Sequence, residues 1–172
     1  MTASIKSAHE AFEYLFVKLN DRDFSKSLGF EEWGERNLLP LVRTYLLGYF
    51  GESVFAEVAS KLPGSYSGIG KIDFFIDDVA VEFAVRKSSE SKSKVLKTVN
   101  ETEVKKLLKY PGKSLLVLFD FSQNHLDSDE LDIFRELPSL GQGNHNKYPF
   151  QISYFYMSKN DIKFHKKQIR AY

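Results

Sequence analysis

Between Gly70 and Lys87 two apolar runs, Ile72-Asp73-Phe74-Phe75-Ile76 and Val79-Ala80-Val81-Glu82-Phe83-Ala84-Val85, meet at an Asp77-Asp78 pair. Apolar runs of this length around two turn-forming residues predict a β-hairpin, since Asp tolerates the positive φ of a tight turn. A symmetric hairpin sets Ile76 against Val79, Phe75 against Ala80, Phe74 against Val81 and Asp73 against Glu82. Alternation then assigns Ile72, Phe74, Ile76, Val79, Val81, Phe83 and Val85 to one apolar face. Lys71, Asp73, Phe75, Ala80, Glu82, Ala84 and Arg86 share the other, with Lys71 opposite Ala84.

Two carboxylates side by side on a sheet repel each other and raise the pKa of one member unless a cation joins them. Asp73 and Glu82 are therefore candidate ligands for Mg²⁺ or Mn²⁺, hard cations that take oxygen donors. The alternative is two solvated carboxylates paired with Lys71 and Arg86.

Around the hairpin the periodicity predicts helix, strand, strand, strand, helix, strand. A Ser7-to-Glu10 capping box opens an amphipathic helix through Phe12, Leu15, Phe16 and Leu19. Leu38, Val42, Tyr45, Leu46 and Tyr49 mark a second helix, over about 36–50, with Pro40 in its first turn so that it begins near Leu39. Residues 53–59 read as a strand, 71–77 and 79–87 as the hairpin, 101–110 as a helix and 114–121 as a strand buried on both faces. A short helix from Asp127 or Ser128 to Pro138 and a closing hairpin around Lys159-Asn160-Asp161 follow. The 172 residues suggest one domain: a helical extension over 1–34, a core over 35–121, and a helix with a hairpin over 122–172.

Other chemistries find little support. The glycine-rich stretch before Ile72 is not a phosphate-cradling P-loop, because Lys71 precedes Ile rather than Ser or Thr and a strand follows where a helix is required. The four histidines lack zinc-ligand spacing. Zero cysteines exclude a disulfide framework and thiolate metal sites and fit a cytoplasmic protein. No apolar stretch approaches the length of a membrane span, so no membrane association is expected.

The predicted order, with Gly70-Lys71-Ile72-Asp73 on one strand and Val81-Glu82-Phe83-Ala84-Val85-Arg86-Lys87 on the next, resembles the PD-(D/E)xK, or restriction-endonuclease-like, nuclease superfamily. The resemblance covers roughly residues 35–121 and implies a three-layer α/β sandwich with an αβββαβ core around a central mixed sheet. It implies a Mg²⁺- or Mn²⁺-dependent nuclease cleaving phosphodiester bonds, with DNA the expected substrate. Asp73 and Glu82 would hold the metal, and Glu35, from the first core helix, would assist, with Glu57 a second candidate. Two departures stand out: Ile72 replaces the Pro of the signature, and Ala84 occupies the position of the lysine that positions or activates water. Lys71, across from Ala84 in the symmetric register, is the expected catalytic substitute.

Arg86, Lys87, Lys92, Lys94 and Lys97 are the expected nucleic-acid contacts, in a basic stretch set against a net charge of only +1. The competing class is a catalytically degenerate module that binds nucleic acid or protein. Either class leaves a homodimer or a partner protein open.

Overall fold

The computed structural model describes residues 3–61, 69–92, 100–136 and 146–170. Its frame is a six-stranded mixed sheet in chain order, β1 (Val54–Lys61), β2 (Ile69–Ile76), β3 (Val79–Arg86), β4 (Lys113–Asp120), β5 (Phe150–Ser158) and β6 (Asp161–Ile169). The β1–β2–β3 meander is antiparallel, β3, β4 and β5 run parallel, and β6 returns antiparallel along β5. The predicted turns hold. Asp77 has φ 51°, and Lys159 and Asn160 have φ 50° and 70°, the left-handed conformations that two-residue hairpins need.

Among the described residues there are four α-helices: α1 (Ile5–Leu19), the single turn α2 (Arg22–Ser25), α3 (Glu35–Phe50) and α4 (Glu101–Lys109). Along β4 the side chains divide by alternation. Leu115, Val117 and Phe119 join the cluster of α1 and α3, whereas Leu116 and Leu118 join that of α4. This two-sided burial is why β4 reads as a continuous apolar run. α1 presents Ala8, Phe12, Leu15, Phe16 and Leu19 to the first cluster, where Phe12 and Phe16 pack on Phe83, Phe119 and Phe155. The N-terminal segment is thus part of the main core.

Three local expectations change. The first capping box starts at Ser4, whose side chain accepts the Ser7 N–H while the Ser7 hydroxyl accepts the Ser4 N–H, so the helix begins at Ile5. The third helix begins at Glu35, not Leu39, with Pro40 inside it. Pro40 lacks the N–H for one intrahelical bond, but the buried stripe of Leu38, Val42 and Leu46 runs past it and outweighs that loss. Finally, the helix expected from Asp127 is a 3₁₀ segment, Glu130–Arg135. The Asp127 carboxylate accepts the N–H groups of Asp129 and Glu130, an Asx-type turn that delays the start. Pro138, its expected end, lies outside the described residues.

The earlier start of α3 matters for the site. It sets Glu35 in the first helical turn, at the positive end of the helix dipole, above β2.

Candidate active site

The β2–β3 ladder keeps the expected register only from the turn to Phe74↔Val81. Beyond that point the strands part, and the Asp73 carboxylate accepts the Phe83 N–H at 2.9 Å. On its other side β2 pairs with β1 at Ala56↔Phe74 and again at Val58↔Ile72, with no pairing at Glu57 and Asp73 between them. Glu57 there adopts φ 51°, an uncommon conformation for a residue of its kind. The distortion reverses the facing of the strand. Ile72 packs with Ala80, Phe75 and Tyr110, and Phe74 lies in the opposite cluster. The uniform apolar face expected from Ile72 onward is therefore interrupted at Asp73.

Glu82 lies on β3 just past the opening, with its carboxyl fully enclosed. Its Oε2 accepts a 2.7 Å bond from the Lys106 ammonium, and its Oε1 is buried without a hydrogen-bond partner. Burial, then the Asp73 charge, pushes the Glu82 carboxyl up to about 9 against the opposing pull of Lys106. Glu35 is pushed up to about 7, first by burial and then by Asp73 and Glu103. Asp73, Glu82, Glu35 and Glu103 thus form one electrostatically coupled group around a single ammonium.

That ammonium is not the expected one. Lys71 pairs with Ala59 on β1, its side chain is exposed, and the ladder ends before it can face Ala84. Only its carbonyl enters the site, accepting the Lys106 ammonium at 2.9 Å. Position 84 is also covered: Ala84 is 4% exposed in the cluster formed by Val104, Leu107 and Leu108 of α4. The helix that encloses position 84 delivers its own lysine to Glu82. Nothing in the hairpin's own sequence points to Lys106. The available signal was its place on α4, two residues past Val104 and one before Leu107, at the margin of the buried stripe.

The expected nucleic-acid contacts fare unevenly. Arg86 is buried and holds Asp120 through Nε at 2.9 Å and Nη2 at 2.6 Å, with Ser122 and the Asn124 carbonyl as further acceptors. A guanidinium enclosed in this way does not meet a phosphate, which corrects the expectation for Arg86. Lys87 lies 4.0 Å from Glu90, and Lys92 pairs with Glu130. Lys94 and Lys97 lie outside the described residues.

Among the described residues no three acidic or histidine side chains converge into a cluster able to hold a metal ion. The donor chemistry nevertheless fits a hard cation at Asp73 and Glu82, because a buried carboxylate oxygen without a partner sits beside a second carboxylate. Mg²⁺ needs only one or two protein carboxylates when water and phosphate complete its shell.

Beside the carboxylates a cleft of about 710 Å³ opens between α3 and the β1–β2 edge, with Glu35, Glu57 and Asp73 among its lining residues. No helix among the described residues is long and apolar enough to cross a membrane. Compared with protein-family models, curated proteins and solved structures, the chain shows no match.

Proposed function

We propose that the chain is a Mg²⁺- or Mn²⁺-dependent nuclease, acting on DNA, with a restriction-endonuclease-like core. The observation that carries this reading is Glu82, enclosed beside Asp73, with one oxygen on the Lys106 ammonium and the other unpartnered. The sheet order and the helices packed on its two faces support a three-layer α/β sandwich in which α3, β1–β3, α4 and β4 follow the αβββαβ order.

Each side chain has a task its surroundings suit. Asp73 and Glu82 bind the metal, which when present lowers the pKa of water and offsets charge on the phosphate. Lys106 supplies the positive charge that the resemblance assigns to the position of Ala84, orienting water and countering negative charge as the phosphate is attacked. Glu35, pushed up to about 7, holds or releases a proton near neutral pH at the rim of the cleft.

A second reading, a degenerate module that binds nucleic acid or protein without cutting, is favoured by one observation. The Lys106–Glu82 pair already compensates the buried carboxyl. Nicking of supercoiled plasmid and cutting of single-stranded DNA and RNA, with Mg²⁺ or Mn²⁺, separates the two. Wild type should cut, and Glu82→Gln and Lys106→Met should each lose activity by roughly 10²-fold or more. A wild type inert under both metals, with every variant folded, supports the degenerate module instead.

A further inference from the structure

The cleft beside the carboxylates has a charged wall. Arg36 and Arg43 both line it from α3, both are exposed, and neither has an ion pair or side-chain hydrogen bond among the described residues. Seven residues apart on a helix, they lie on one flank about 10.5 Å from each other along the axis. Leu39, Pro40 and Leu47 fill the surface around them.

Five lysines among the described residues are engaged by contrast. Lys87 meets Glu90, Lys92 meets Glu130, Lys105 meets Glu101, Lys106 meets Glu82 and Lys113 meets Asp78. A cation already holding a carboxylate has less to gain from a phosphate than one with no partner.

The cleft is also polar along its length. Glu35 sits at the head of α3, Asp73 is coupled to it, and Glu57 lies across from Asp73 on β1, so the carboxylates gather at one end. Arg43 lies two helical turns away from that end.

We infer that the Arg36–Arg43 flank of α3 is the track that holds the phosphodiester backbone of a nucleic-acid strand and leads it to Asp73 and Glu82. Its direction rests on the hydrolytic reading of those carboxylates. The arginine forks grip successive phosphates bidentately, and the apolar surface around them lies against sugars and bases. An acidic peptide offers similar anions, and the test tells the two apart.

Binding is measured by fluorescence anisotropy in EDTA, so that cleavage plays no part, with labelled single-stranded and duplex oligonucleotides over a salt series. Arg36→Ala/Arg43→Ala should weaken binding by roughly tenfold or more at low salt. It should flatten the log–log salt slope by about 1.4 for single strands and about 1.8 for duplex, the loss of two phosphate contacts. Arg36→Lys/Arg43→Lys, which keeps the charge, should retain most of the slope. The track is overturned if the double alanine variant binds like wild type, if wild type binds no oligonucleotide, or if polyglutamate competes as well as DNA does. Parallel plasmid cutting keeps the two ideas apart. Arginine-dependent binding without metal-dependent cutting supports the track and discards hydrolysis, whereas cutting indifferent to the arginines does the reverse.

Discussion

Glu82 and Arg86 lie on the same strand, on the same face, and both are buried, yet their surroundings treat them in opposite ways. Arg86 grips Asp120 with two nitrogens, shares Ser122 and the Asn124 carbonyl, and Tyr154 donates its hydroxyl to the same Asp120; Nη1 alone lacks a partner. Glu82 has one ammonium, one idle oxygen and a like charge for a neighbour. A buried ion pair holds a fold only when its remaining hydrogen-bonding capacity is met. The Arg86 network approaches that condition, and the Glu82 site departs from it. The first is what a structural role requires. The second has binding capacity left over.

The largest test of this contrast is to remove one partner from each. Asp120→Ala leaves a buried guanidinium without its counter-charge and should cost about 3–5 kcal/mol in urea denaturation. Glu82→Gln keeps the shape of a carboxyl that already holds its proton near neutral pH, and should be neutral or stabilising. An Asp120→Ala cost near that of an ordinary surface change would mean the two sites do not differ as described.

Metal binding should show the next largest effect. A ligand that binds only the folded state stabilises it by about 2.7 kcal/mol at a hundredfold excess over its dissociation constant. Mn²⁺ at millimolar concentration should therefore raise the melting temperature of wild type and leave Asp73→Asn unchanged. No rise in wild type would count against the spare oxygen of Glu82 as a ligand.

Protons compete for the same site, which gives a distinctive signal. Glu82 is pushed up to about 9 and Glu35 to about 7, so the folded state holds these protons more tightly than the unfolded chain. Their contribution to stability is complete below the ordinary glutamate range. It falls as pH rises, through about 7 for Glu35 and about 9 for Glu82. Each group adds at most about 1.4 kcal/mol per pH unit to the slope in its window. Glu82→Gln should flatten the upper part of the metal-free curve, measured by denaturant melts between pH 6 and 9. Metal affinity should rise over the same range as the proton leaves. An identical slope in the variant would place the titrating group elsewhere.

The sheet was largely legible in the sequence because its signals are local. The turn at Asp77-Asp78, the double-faced run of β4 and the Lys159-Asn160 turn are each set by a few adjacent residues. The nearness of Asp73 and Glu82 follows from their equal offsets from that turn, but the direct pairing expected of them does not form, since the ladder ends at Phe74↔Val81. What escaped were effects of third elements. The opening of the ladder coincides with the break at Glu57 in β1, which no pattern within the hairpin reveals. The burial of Arg86 depends on Asp120 at the end of β4, more than thirty residues later. The ammonium at Glu82 comes from α4, so extrapolating the hairpin register pointed to Lys71 instead.

That last substitution yields the smallest expected effect and the sharpest check on the geometry. Lys71 contributes a main-chain carbonyl, which every residue has, and its side chain stands in solvent. Lys71→Ala should change stability by no more than about 0.5 kcal/mol, as exposed positions generally do. The Lys106 bond to the carbonyl survives the change, so cutting should also persist. Lys106→Met removes the ammonium from the Glu82 oxygen and from that carbonyl at once, while its apolar stem continues to fill the margin of α4. Side-by-side plasmid nicking of the two variants decides which lysine serves the carboxylates. Loss of cutting in Lys71→Ala with retention in Lys106→Met would restore the hairpin register extrapolated from the sequence and remove α4 from the site.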